Sequence, residues 1–90
     1  MRRDAVVGCE GDSMRTMALR GHSMRYDAME GRPELDKLAV YCTDAGRLLG
    51  TDYGGLMVDV RGAVEDGLSR RDTVLTALAQ VIGDIEAALA

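Results

Sequence analysis

Ninety residues with a net charge of −4 and a pI near 4.8 leave room for one domain at most. A chain this short buries only about 60 to 65% of the surface its unfolded form exposes, so its core is thin and a marginal monomer gains from a partner. The acidity argues against a general affinity for phosphate backbones, which needs dense Lys and Arg. Phe and Trp are absent, so the core must come from Leu, Val, Ile, Ala and Met, with Tyr26, Tyr41 and Tyr53 the only aromatic rings.

Charge is unevenly placed: residues 1–32 carry six arginines against five acids, and residues 33–90 five bases against ten acids. The opening "MRRDAVVGCE" has the arginines of an export signal and a "VVGC" that resembles a lipoprotein cleavage box. An export signal needs an apolar run of about 7 to 15 residues, and here only Ala5, Val6 and Val7 precede Gly8. Residues 1–10 therefore read as a loose tail, at most an edge strand through Ala5 to Val7, ahead of a single domain over residues 11–90. No segment approaches the roughly 18 apolar residues of a membrane span, so a soluble, cytoplasmic protein with no membrane partner is expected. Cys9 and Cys42 lack the spacing of a zinc knuckle or a CxxC pair and read as reduced thiols, Cys42 as a small core hydrophobe.

The stretch "GDSMRTMALRGHSMRYDAMEG" holds four of the six methionines and the one histidine. Cys9, Met14, Met17, His22, Met24 and Met29 are soft donors that suit Cu(I), but they follow no repeated spacing and share the segment with Arg15, Arg20 and Arg25. Asp12-Ser13-Met14 resembles the tripeptide on which acyl and peptidyl carrier proteins bear phosphopantetheine at a helix start. That resemblance stops at three residues: only twelve precede the serine where a carrier has a long helix and loop, and an arginine-rich segment follows it. A plainer reading accounts for more of the letters. Asp12 or Ser13 caps a short helix that ends at Gly21, Ser23 opens a second that ends at Gly31, and His22 lies solvated in the loop between them.

In "RPELDKLAVYCTDAGRLLG" Pro33 fits a first helical turn, Glu34 and Asp36 favour the positive end of the dipole, and Gly50 closes the helix. Leu35, Leu38, Cys42, Ala45 and Leu49 step by 3, 4, 3 and 4. The segment 51–71 is ambiguous: Leu56, Val58 and Val60 alternate as in a strand, whereas Met57, Val60, Val64 and Leu68 favour a helix weakened by Gly62 and Gly67. The last element is the clearest. Leu75, Leu78, Ile82, Ile85 and Leu89 again step by 3, 4, 3 and 4, widened by Val74, Val81 and Ala88, after a Ser69 cap and Asp72. Ala79 and Gly83 have the spacing of a helix-turn-helix, but seven residues are too few for a recognition helix beyond Gly83, and Asp84 and Glu86 are acidic, so one continuous helix is expected.

The sequence therefore implies an all-α fold, a small bundle of three longer helices with one or two short N-terminal helices. Catalysis is not expected, because His22 has no identifiable partner and no Gly-rich phosphate loop, zinc motif or calcium loop is present; no cofactor or metal is implied. The expected function is a protein–protein interaction module that acts through an apolar helix face, a subunit, an adaptor or a small inhibitor, and it is expected to be homodimeric. Small phage-encoded inhibitors share its shortness and acidity, a likeness of composition only. Leu75, Leu78, Ile82, Ile85 and Leu89 are the candidate partner-binding residues. The alternative is a nucleic-acid-binding regulator using Arg15, Arg20 and Arg25, and a more remote one is soft-metal binding by the Met and His residues.

Overall fold

The computed structural model describes the backbone of residues 5–90 and the side chains from residue 13 onward. Four helices follow one another, α1 (Ala5–Met29), α2 (Leu35–Leu49), α3 (Gly54–Glu65) and α4 (Arg70–Leu89), and the described residues contain no strand. α1 packs most extensively on α4; α2 touches all three others, and α3 rests on α2 and α4 alone among the described residues. The all-α bundle expected from composition and periodicity is the fold that forms.

Local signals mark the starts of α3 and α4 and the ends of α1, α2 and α3. Ser69 Oγ accepts the Asp72 N–H at 3.2 Å and opens α4, with Asp72 in its first turn. Asp52 Oδ1 accepts the Gly54 N–H at 2.8 Å and opens α3. Gly31, Gly50 and Gly67 adopt left-handed backbone with φ of 88°, 72° and 96°, closing α1, α2 and α3. Gly67 therefore terminates α3, where the sequence predicts that it weakens the helix from within: its N–H reaches the Val64 carbonyl at 3.0 Å and leaves Leu68 outside, exposed. The strand reading of Leu56, Val58 and Val60 also falls, because Met57 and Val60 are buried three apart while Val58 is exposed.

The N-terminal half differs most from expectation. The backbone from Ala5 belongs to α1, so no edge strand forms through Val7; the rest of the expected tail, residues 1–4, lies outside the described residues. In place of two short helices there is one of 25 residues, running through Gly21, His22 and Ser23 without a break. The reason is packing. A Cβ on residue 21 would collide with Tyr41 Oη and lie 2.6 Å from Ile82 Cγ1, so Gly21 is a notch where α2 and α4 close on α1. Tyr41 Oη donates to the Met17 carbonyl at 2.8 Å through that notch. The same carbonyl is the one the helical ladder offers to the Gly21 N–H, so the tyrosine bonds into the turn where the sequence suggests a loop.

One core cluster fills the bundle, built mainly from Leu38, Tyr41 and Cys42 of α2 and Val74, Leu78, Val81 and Ile85 of α4. Met17 and Ala28 enter it from α1, Tyr53, Met57 and Val60 from the α3 region. No polar or charged residue among those described is buried.

Two glycines inside helices should therefore respond oppositely to alanine. Gly83, exposed in α4 with open space for at least 4 Å around the place a Cβ would occupy, gains about 0.5–1 kcal/mol from helix propensity in Gly83→Ala. Gly21→Ala gains the same propensity but overpacks a rigid, hydrogen-bonded contact, for a net loss of about 1–2 kcal/mol. Thermal melts separate the two by direction; a stabilised Gly21→Ala protein would show that the notch is not close-packed.

Candidate interaction surface

The α4 stripe is the first candidate, and most of it is used within the chain. Leu78, Ile82 and Ile85 are buried in the core, Leu75 is half-buried against it, and only Leu89, at 40% exposure, reaches the surface near the helix end. Periodicity identifies such a stripe without saying what covers it. Here α1, α2 and α3 all lie on α4, so the central three residues meet the rest of their own chain.

A second row, which the sequence reading misses, lies on α1. Leu19, Tyr26 and Met29 are 70%, 63% and 56% exposed, and with His22 they step by 3, 4 and 3. On one continuous helix that spacing places all four within an arc of about 80°, turned away from Gly21 and Ala28. Scattered surface apolar residues are ordinary, whereas a row in helical register is a patch. His22 is fixed along it by Glu86 of α4, with Nε2 and Oε2 3.2 Å apart. The expected loop placement of His22 is thus replaced by a helical one. This row escapes a reading that breaks the helix at Gly21, since Leu19 then belongs to one element and Tyr26 and Met29 to another.

Arg15, Arg20 and Arg25 do not make one basic patch. Residues five apart on a helix are turned about 140° from each other, so the three point to different sides of α1. Arg20 is also committed: its Nη1 meets Asp44 Oδ2 at 3.1 Å and Met17 Sδ at 3.2 Å, and its guanidinium lies 5.5 Å from the Tyr41 ring centroid. Arg15 and Arg25 are exposed.

The soft donors are dispersed in the same way. Met17 is buried with its sulfur beside Arg20, Met14 and Met24 rest against the core, and Met29 is on the outward row. The Cys9 side chain lies outside the described residues, and among those described no group of three or more His, Cys, Asp or Glu converges. Ser13 lies well inside α1 and not at a helix start, which removes the positional part of its resemblance to a carrier-protein serine.

Three inward-facing groups, Cys42, Tyr41 and Tyr53, have the chemistry of nucleophiles but the environment of core residues. Cys42 borders a cleft of about 280 Å³ between α2 and the α3 entry, shared with Thr43, Gly46, Asp52 and Tyr53. Burial pushes its thiol up to about 11. Burial likewise raises Tyr41 to about 12, against a smaller opposing pull from Arg20. Tyr53 is raised too, first by burial and then by the hydrogen bond its hydroxyl donates to Asp84 Oδ2 at 2.5 Å. These groups hold their protons and hold the core together.

No family model, curated protein or solved structure matches the chain. No helix among the described residues is long and apolar enough to cross a membrane.

Native Cys42 should be close to inert. A thiol raised from 9.0 to about 11 has a thiolate population about 100-fold smaller at pH 8, before burial restricts access further. In a Cys9→Ser background, an aromatic disulfide reagent should label Cys42 at least about 100-fold more slowly than in denaturant; equal rates would show an open cleft. The linked effect on stability has one sign. Folding raises the pKa of both Tyr41 and Cys42, so this stabilisation is complete below pH 9 and is lost as pH climbs from 9 through about 12.

Proposed function

We propose that this chain is a non-catalytic protein–protein interaction module, a subunit, adaptor or small inhibitor of the cytoplasm, that engages its partner through the outward face of α1. The observation that carries this reading is the Leu19–His22–Tyr26–Met29 row, held in register by a helix that the core locks at Gly21. Catalysis is disfavoured by placement: His22 pairs with Glu86 at the surface, whereas Cys42 is buried beside the α2–α3 cleft with its thiol pushed up, so base and nucleophile are not brought together.

Magnitudes suggest the kind of complex. Fully burying a large apolar side chain contributes about 1.5–3 kcal/mol, and these three are already partly covered. Association costs about 4–15 kcal/mol in lost freedom. Three anchors alone thus support a weak or transient contact, and a stable one needs added polar pairs along the rim.

The reading is tested by a photo-crosslinking residue placed at Leu19 and, as a control, at exposed Arg47 on α2, in the organism that encodes the chain. Adducts, whether with a copy of this chain or with another protein, are expected from position 19 and absent from position 47. No adduct from position 19, or equal adducts from both, would overturn it.

A further inference from the structure

We infer that the occupant of the α1 face is a second copy of this chain, related by a two-fold axis running parallel to α1 so that the two helices lie side by side in the same direction. This rests on the reading of α1 as the interaction face and adds the partner and its orientation.

The row has the register of a coiled-coil seam. Leu19 and Tyr26 are seven apart, as are His22 and Met29, so the four occupy successive a and d positions of two heptads. Gly21 and Met24 then fall at c and f, on the side that faces the bundle, where Gly21 is buried and Met24 rests against the core. The same helix therefore serves a core on one side and presents a seam on the other. In this register Arg25 occupies the g position that flanks Tyr26, and Glu30 the e position that flanks Met29.

Those two flanks choose the partner. In a parallel pair each g residue lies beside the e residue five positions later on the other helix. The two-fold axis therefore brings Arg25 of each copy to Glu30 of the other, twice. An antiparallel pair sets g against g and e against e, which offers arginine to arginine. Arg25 and Glu30 are both exposed, and neither has an ion pair within its own chain among the described residues. The row is thus self-complementary in charge and in apolar content in one orientation only. Two reciprocal pairs at the rim supply the polar addition that three anchors lack. Tyr26 sits between them at the seam, the kind of amphipathic ring enriched where interfaces carry their energy.

Charge exchange tests both the occupant and the orientation. Wild-type protein, Arg25→Glu, Glu30→Arg and an equimolar mixture of the two variants are measured by light scattering on a sizing column up to millimolar concentration, with far-UV melts confirming that each remains folded. The wild type should rise from 9.7 kDa to twice that mass with concentration. Each variant alone sets like charges together and should need at least about 10-fold higher concentration to do so. Their mixture restores two opposite pairs and should dimerise as the wild type does. A wild type that stays at 9.7 kDa throughout overturns the second copy as occupant. Single variants that dimerise as readily as the wild type, or a mixture that dimerises no better than either, overturn the parallel arrangement. The interaction face itself stands or falls separately: position 19 forming adducts with another protein while the wild type is monomeric retains the face and rejects this occupant.

Discussion

The Tyr41 hydroxyl reaches the Met17 carbonyl because residue 21 has no side chain, and Ile82 of α4 closes on the same gap. Three helices meet at that point. A methyl group there would push apart the extensive α1–α4 packing and separate the largest buried side chain of α2 from its acceptor. With the notch filled by a hydroxyl and an isoleucine, the helix has no reason to break at Gly21. The glycine's loss of about 1 kcal/mol in propensity is offset by the burial and the hydrogen bond it admits. Everything on the outer side of α1 inherits its geometry from this contact, because Leu19 and Tyr26 share a face only if the turn between them is helical.

Other polar contacts reinforce this arrangement without creating it. Arg20 spans from Met17 to Asp44 over the Tyr41 ring, tying α1 to α2 beside the notch. The other ion pairs among the described residues lie at the surface, as in Lys37 with Glu34 and Arg32 with Asp27, and pairs of that kind contribute about 0–1 kcal/mol each. α3 is the least anchored element. It buries Met57 and Val60, lies against α2 and α4 alone among the described residues, and depends at its entry on the hydrogen bond from Tyr53 to Asp84.

The parts of the fold legible in the sequence are those where hydrophobic period and helix-end chemistry agree. α2 and α4 carry stripes stepping by 3 and 4 after an acidic or Ser-capped start, and both helices form over those stripes, with Pro33 just ahead of α2 rather than in its first turn. Gly31 and Gly50 close helices as read. Gly21 misleads because a glycine followed by His-Ser has the same letters whether it ends a helix or lets two others approach. Only the tertiary neighbours, Tyr41 and Ile82, decide between those uses. The α4 stripe invites assignment to a partner for a related reason: an amphipathic face announces that it must be covered, not by what. Tyr41 escapes notice as an anchor because its position beside Cys42 interrupts the aliphatic pattern, although it is the largest fully buried side chain.

Amide hydrogen exchange along α1 tests the central contact most directly, since it distinguishes one helix from two at single residues. If the core locks the helix at residue 21, the amides of Gly21, His22 and Ser23 open only with the whole bundle and should exchange as slowly as those of Leu78 and Ile82. Exchange at Gly21 to Ser23 as fast as at Asp52 and Ser69, which lie between helices, would mean a break between two short helices. The notch, the tyrosine bond and the continuous outer row would then be lost together.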